Sequence, residues 1–172
     1  MPVESKLKSA LAELSKSFFG KSKLYYKSLH EFVCKEGTEL QSNELTKVEL
    51  QIVKNALKKS NNTQAGLCFY NAQCLVMGDL TDMIEYWEGY TMDKGGFPIL
   101  HGFNVINGKV IDFTHTINNK HILGNFGTEK EYLGVKFDKS LPLERLLSGK
   151  NSTSFIDNLD DGYPVLKSKW NG

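Results

Sequence analysis

The dipeptide Asn107-Gly108 constrains the fold of this chain more than any other feature, because it lies between two alternating segments of apolar residues. Asn-Gly is the strongest short signal for a two-residue β-hairpin turn, since both of its positions need positive φ angles. The turn sets the register, with Ile106 opposite Lys109. In that register His101 and Asp112 lie diagonally on one face, with Cα atoms about 7–8 Å apart. We therefore predict that the imidazole and the carboxylate meet.

Cys68 is the candidate nucleophile for such a pair. Gly66 interrupts the chain, and the apolar residues that follow recur at helical spacing, which predicts a helix from about Cys68 to Gly78. In a first helical turn the unpaired N–H groups and the helix dipole stabilise a thiolate, the reactive form of cysteine. A carboxylate that orients a histidine beside a thiol is typical of nucleophilic catalysis. The structural alternative is a small buried cysteine and a polar pair that only supports the fold.

These residues resemble the core of the transglutaminase-like branch of the papain-like cysteine hydrolases. The pattern of that family is roughly G-x-C-x-x-x-A, then H-x-W, then D-P-T. Six positions of this chain match it in the same order: Gly66, Cys68, Ala72, His101, Asp112 and Thr114. The chain departs from the pattern at Phe103, where tryptophan is common, and at Phe113, where proline is common. The resemblance covers about residues 64–114.

The resemblance implies a papain-like core and a Cys68, His101 and Asp112 triad that transfers acyl groups without a cofactor. The backbone N–H of Cys68 would help to bind the oxyanion, and Gln64, just before the helix, is the candidate second donor. The expected substrate is a peptide, a protein or a small amide. Hydrolysis by water and transfer to an amine both remain open.

The order of the predicted elements favours an α+β fold of one domain over residues 1–172, with helices first and an antiparallel sheet second. Helical spacing predicts an N-terminal helical part over 1–60, and strands near 82–92, at His101 and over 132–137 complete a helix-plus-sheet core over 64–137. We expect a short helix over 141–147 and a tail over 150–172 that is mostly loop. The predicted helical residues fall in three groups: Leu7, Leu11, Leu14 and Phe18; then Tyr25, Leu29, Phe32 and Val33; then Leu45, Val48, Ile52 and Ala56 behind a cap at Ser42 or Asn43.

Composition narrows the class of protein. A chain of 172 residues, 40% of them hydrophobic, is long enough to bury a core, and its net charge of +1 gives no general attraction to nucleic acid or to anionic membranes. The sequence has no apolar run that would span a bilayer, so we expect a cytoplasmic protein. Three cysteines favour free thiols over a disulfide framework. The chain is also similar to short proteins of tailed bacteriophages, which implies a host cytoplasm.

A metal site is one alternative, in which Asp112, His115 and His101 gather around a thiol. The chain has no Cys-x-x-Cys or His-x-x-x-His spacing, so we predict no metal.

A non-catalytic binding module is the other alternative. Residues 79–93 are acidic and aromatic, and in an enzyme Glu88, Trp87 and Tyr90 are the candidate substrate contacts, with Glu88 selecting a basic or amine-bearing group. In a binding module Tyr86, Trp87 and Tyr90 would instead hold a host factor or a small molecule. The simpler interpretation of these aromatic residues is that they form the core of the sheet.

Overall fold

The computed structural model describes residues 5–17, 24–41, 43–60, 64–92, 96–114, 130–148 and 153–171. The predictions made for Phe18, Ser42 and His115 lie outside these ranges. The elements follow in this order: α1 (Lys6–Lys16), α2 (Leu29–Glu36), β1 (Thr38–Gln41), α3 (Lys47–Ser60), α4 (Cys68–Gly78), β2 (Ile84–Met92), β3 (Ile99–Ile106), β4 (Lys109–Ile111), β5 (Glu131–Phe137), α5 (Ser140–Leu147) and a 3₁₀ helix (Pro164–Leu166).

Within the described ranges, five strands form one curled sheet in the order β1-β4-β3-β2-β5. The strand β1 also pairs with β5, so the sheet closes on itself. Every pairing is antiparallel except the contact of β1 with β4, at Gln41 and Lys109. The predicted α+β class and the predominantly antiparallel sheet are confirmed. The strand β1 was not predicted, because four residues are too short to show a clear alternation.

The hairpin of β3 and β4 has the predicted register. Ile106 pairs with Lys109, and the next two pairs follow in step, ending at Asn104 and Ile111. Asn107 and Gly108 have φ angles of 50° and 74°, as a two-residue turn of this kind requires.

The third helix begins later than predicted. Thr46 caps it: its hydroxyl accepts from the Glu49 N–H at 3.2 Å, and the Glu49 carboxylate accepts from the Thr46 N–H at 2.7 Å. The expected cap at Asn43 is wrong, and Val48 is 69% exposed rather than inside. The second helix also begins later, at Leu29, where Ser28 caps it through the Glu31 N–H.

Helices cover one face of the sheet, and aromatic and aliphatic residues fill the inside of the curl. One cluster joins α1, α2 and the C-terminal tail to the outer face of β2 and β5. A second lies between α3, α4 and the hairpin. The third lies inside the curl and consists of Trp87, Phe103, Val105, Val110 and Tyr132. In the tail, Val165 and Leu166 are buried, and Trp170 packs on Phe137 at 5.2 Å between ring centroids. None of the described helices is both long and apolar enough to cross a membrane.

Glu49 ties the start of α3 to the hairpin turn. Its carboxylate accepts from Lys109 Nζ at 2.8 Å and from Asn107 Nδ2 at 2.9 Å. Hydrogen bonds to Lys109, to Asn107 and to the backbone of Thr46 lower the pKa of Glu49 to about 2. The bond to Lys109 has the largest effect. This buried carboxylate is therefore charged at neutral pH and in moderately acidic solution.

We predict that Glu49→Gln lowers the free energy of unfolding by roughly 1.5–3 kcal/mol at pH 7, the usual worth of hydrogen bonds to a charged group. The pKa of Glu49 falls on folding from its ordinary value of 4.5 to about 2, so the stabilisation is present above the higher value and disappears as the pH falls towards the lower one. Urea unfolding at pH 7, 4 and 2.5 measures the difference. The exposed Glu44, replaced in the same way, is the control and should change stability by less than about 0.5 kcal/mol. An equal loss at all three pH values would contradict the prediction.

Candidate active site

Cys68 is the first residue of α4 and is half-buried. Gly66, with a φ of 81°, makes the turn that leads into the helix. Leu67 is the N-cap residue, and its side chain makes no capping hydrogen bond to the first turn. The thiol thus lies at the positive end of the helix dipole, where backbone N–H groups are left for an anion. The backbone N–H groups of Phe69 and Gly102 both help to lower the pKa of its thiol.

His101 and Asp112 form the pair that the hairpin register predicts. His101 lies on β3, Asp112 follows the last residue of β4, and His101 Nε2 is 2.9 Å from Asp112 Oδ2. Their side chains are 12% and 2% exposed. The pair therefore lies almost entirely away from solvent, where a hydrogen bond between a carboxylate and an imidazole is strong.

The Cys68 thiol lies close enough to His101 for the imidazole to lower the pKa of the thiol and for the thiol to help raise the pKa of the imidazole. The thiol, the imidazole and the carboxylate therefore form one electrostatically connected series.

The electrostatics of this series favour the charged forms of both Cys68 and His101. Burial raises the pKa of the Cys68 thiol, but the hydrogen bond and charge of His101, with the two N–H groups, outweigh it and lower the pKa overall. Burial lowers the pKa of His101, whereas the bonds to Asp112 and then to Cys68 raise it to about 9. The two shifts therefore favour the thiolate of Cys68 and the imidazolium of His101 together.

Gly102 allows β3 to reach the first turn of α4. A Cβ atom at Gly102 would lie 2.9 Å from the Cα atom of Phe69 and 2.8 Å from its Cδ1 atom, closer than real carbon atoms approach. Two residues further on, Asn104 Nδ2 donates to the carbonyl oxygen of Ala72 at 3.0 Å. Sequence reasoning did not single out Gly102 or Asn104. The sequence could have indicated them through a glycine and an asparagine two positions apart in an otherwise apolar strand.

Gln64 is exposed in the loop before the helix, and its backbone is held by Asn71. The Gln64 N–H donates to Asn71 Oδ1 at 2.8 Å, and its carbonyl accepts from Asn71 Nδ2 at 2.7 Å. Asn71 Nδ2 also donates to Thr114 Oγ1 at 2.8 Å. Asn71 thereby links the loop before Cys68 to the segment after Asp112. The predicted oxyanion role of Gln64 stays a prediction.

Glu88, Trp87 and Tyr90 lie in the interior, with exposed fractions of 0%, 9% and 5%. Trp87 Nε1 donates to Glu85 Oε2 at 2.9 Å, and the ring of Tyr90 stacks on His30 at 5.1 Å. Their burial does not favour contact with a substrate.

The Glu88 carboxylate instead holds the C-terminal tail in place. It accepts from the Ser154 hydroxyl at 2.6 Å and from the Ile156 N–H at 3.0 Å. The Tyr86 hydroxyl donates to it at 2.5 Å. Burial raises the pKa of Glu88 in spite of these bonds.

The remaining thiols and acids form no second site within the part of the chain that the structure describes. All three cysteines are free thiols, as predicted. Burial raises the pKa of Cys74, the opposite direction from Cys68. Among the described residues, no three His, Cys, Asp or Glu side chains are grouped so as to hold a metal ion.

Comparison with known proteins gives no relative: no family model, no curated protein and no solved structure matches this chain. Its function must therefore be inferred from the site itself.

We predict that Gly102→Ala slows alkylation of Cys68, because the added methyl group pushes β3 away from Phe69 and weakens both the Gly102 N–H and the His101 contacts to the sulfur. The rate of iodoacetamide labelling at pH 7, followed by mass spectrometry of the Cys68 peptide, should fall about tenfold.

Gly108→Ala is the matched control. It strains a positive φ angle at the hairpin turn, but a Cβ there has nothing within 4 Å. It should destabilise the protein by about 1 kcal/mol and leave the labelling of Cys68 unchanged. Equal effects of the two variants on labelling would contradict the role given to Gly102.

Proposed function

We propose that this chain is a cysteine-dependent acyl-transfer enzyme of the papain-like, transglutaminase-like kind. Cys68 is the nucleophile, His101 the general acid and base, and Asp112 the residue that orients the imidazole. The observation that carries the proposal is the connected series of three side chains, in which the pKa of the thiol is lowered and that of the imidazole is raised to about 9. A buried structural cysteine has no need of this arrangement, since burial by itself raises a thiol pKa.

The chemistry follows from the atoms in contact. The thiolate of Cys68 attacks the carbonyl carbon of an amide and forms a carbon–sulfur bond. The carbon–nitrogen bond then breaks, and the imidazolium of His101 gives its proton to the leaving amine. Water or an acceptor amine next attacks the thioester, His101 takes the proton of that nucleophile, and the thiolate leaves. No cofactor takes part in these steps.

The oxyanion of the tetrahedral intermediate needs hydrogen-bond donors beside the sulfur. The backbone N–H of Cys68 stands at the start of α4, with its helix dipole directed towards the same place. Gln64 is the second donor in this proposal, because the bonds to Asn71 hold its backbone in the loop just before the nucleophile.

The substrate class in this proposal is an amide in a peptide, a protein or a small molecule. We propose the cytoplasm of a host cell as the setting of this activity. The alternative of a non-catalytic module that binds through Tyr86, Trp87 and Tyr90 is not supported, because all three side chains are buried.

We predict that Cys68 reacts with iodoacetamide well below pH 8.5, and faster than Cys34 or Cys74 in the same molecule. The thiolate is the reactive form, so a lowered pKa extends fast labelling to lower pH. Labelling of the three cysteine peptides between pH 5 and 9 measures the profiles. In His101→Ala the Cys68 rate at pH 6.5 should fall about tenfold, while those of Cys34 and Cys74 stay the same. Equal rates for the three thiols would contradict an activated Cys68.

We predict that Cys68→Ala and His101→Ala each abolish acyl transfer, because residues that act as one unit lose about the same rate when either is removed. Cys68→Ala should leave thermal unfolding nearly unchanged. Acetylation of the protein by p-nitrophenyl acetate, seen as a burst of nitrophenolate and one added acetyl group on Cys68, is a test that needs no knowledge of the substrate. Asp112→Asn should lose less, since asparagine still accepts a hydrogen bond from the ring.

We predict a specific pH dependence for the rate of amide turnover. The rate of turnover should rise as Cys68 ionises and fall again near pH 9, where His101 loses the proton that the leaving amine needs. Cys74→Ala is the control for loss of a half-buried thiol from the same helix and should keep full activity. Full acetylation in Cys68→Ala would exclude this residue as the nucleophile.

A further inference from the structure

Tyr132 touches the candidate triad from a strand that the sequence analysis did not connect with it. It lies on β5, is 2% exposed, and its hydroxyl donates to Asp112 Oδ2 at 2.9 Å. His101 Nε2 meets the same oxygen, also at 2.9 Å. One carboxylate oxygen thus accepts from the phenol and from the imidazole together.

A carboxylate this deeply buried needs such partners. Asp112 is 2% exposed, and a buried charge is tolerated only when it is paired and hydrogen-bonded. The donor geometry also fixes direction, because an oxygen held by Tyr132 cannot turn away from His101 without breaking a buried hydrogen bond.

The rings reinforce this arrangement from the inside of the curl. Phe103 packs on Tyr132 at 5.2 Å between centroids, and His101 stacks on Phe103 at 6.5 Å with an interplanar angle of 16°. Phe103 therefore packs on both of the rings that donate to Asp112 Oδ2. Tyr132 belongs to the buried cluster inside the curl, and Phe103 of the same cluster packs on His101.

We propose that Tyr132 is a positioning residue of the acyl-transfer site, which holds the Asp112 carboxylate towards His101. This inference rests on the proposed function but concerns a residue outside the triad. Tyr132 touches no reacting atom and acts through Asp112. Its loss should therefore resemble a weaker form of the loss of Asp112 itself.

Tyr132→Phe removes the hydroxyl and keeps the ring that packs on Phe103. We expect the acid limb of the Cys68 alkylation profile to move to higher pH, because an imidazolium with a loosely held carboxylate stabilises the thiolate less. The rate of acetylation by p-nitrophenyl acetate at pH 7 should fall about tenfold, the effect of one hydrogen bond to a charged group. In an Asp112→Ala background the same replacement should change neither quantity further.

Tyr26→Phe is the matched control. The hydroxyl of Tyr26, which is fully buried, donates to the Glu36 carboxylate at 2.6 Å in the helical part of the protein. Its loss removes the same kind of bond and should lower stability without moving the alkylation profile. 3-Fluorotyrosine at position 132 keeps the hydroxyl donor and should keep the alkylation profile of the unmodified protein. It therefore distinguishes loss of the hydroxyl from a general disturbance of the strand.

The two readouts separate this inference from the proposed function. Absence of acetylation in the unmodified protein would overturn the acyl-transfer proposal, while the alkylation profile still reports the ion pair that Tyr132 is inferred to support. An unchanged alkylation profile in Tyr132→Phe, a shift to lower pH, or a shift equal to that of Tyr26→Phe would overturn the positioning role. A further shift from Tyr132→Phe in the Asp112→Ala background would also overturn it.

Discussion

The close contact between β3 and the first turn of α4 is the constraint on which the candidate site depends. Two side chains from different parts of the chain, Cys68 and His101, meet only because the backbone of Gly102 lies against Phe69 with no room for a Cβ atom. The Asn104 amide then fixes the strand to the helix at Ala72. This contact brings the positive end of a helix dipole to an imidazole whose other nitrogen faces a buried carboxylate, so backbone packing and electrostatics act on the same sulfur.

The two buried carboxylates Glu88 and Asp112 have different surroundings on the two faces of the sheet. On the helix side, Glu88 is fully buried among neutral donors, which include the Tyr86 hydroxyl and backbone groups of the tail, and its raised pKa reflects that environment. On the inner side, Asp112 faces His101, and the raised pKa of the imidazole favours its positively charged form. A carboxylate paired with a cation can polarise a neighbouring group, whereas one surrounded by neutral donors chiefly anchors chain segments. This contrast distinguishes the candidate site from the structural network.

Sequence analysis predicted correctly the contacts that are decided by short-range rules of chain geometry. A two-residue turn fixes the register of its own hairpin, so the meeting of His101 and Asp112 followed from Asn107-Gly108. The contact of Cys68 with His101 depends on packing between separated elements, and only the family resemblance suggested it. The third helix was misjudged because its cap at Thr46 turns Glu49 and Val53 inward instead of Val48. Glu88 was predicted to contact a substrate because its acidic neighbours hid a strand that is buried on both sides.

Closure of the sheet accounts for the parts that no local pattern shows. The strand β1 completes the curl by pairing with β5, and β5 carries Tyr132 into the interior beside Asp112. The sequence separation of these elements removes any periodic signal that links them. Yet closure determines the environment of the candidate triad, because a carboxylate inside a closed sheet lined by Phe103 and Trp87 has little access to water. Weak solvation strengthens its bonds to the imidazole and the phenol. The electrostatic bias of Cys68 towards the thiolate is therefore a property of the whole sheet as much as of the three side chains.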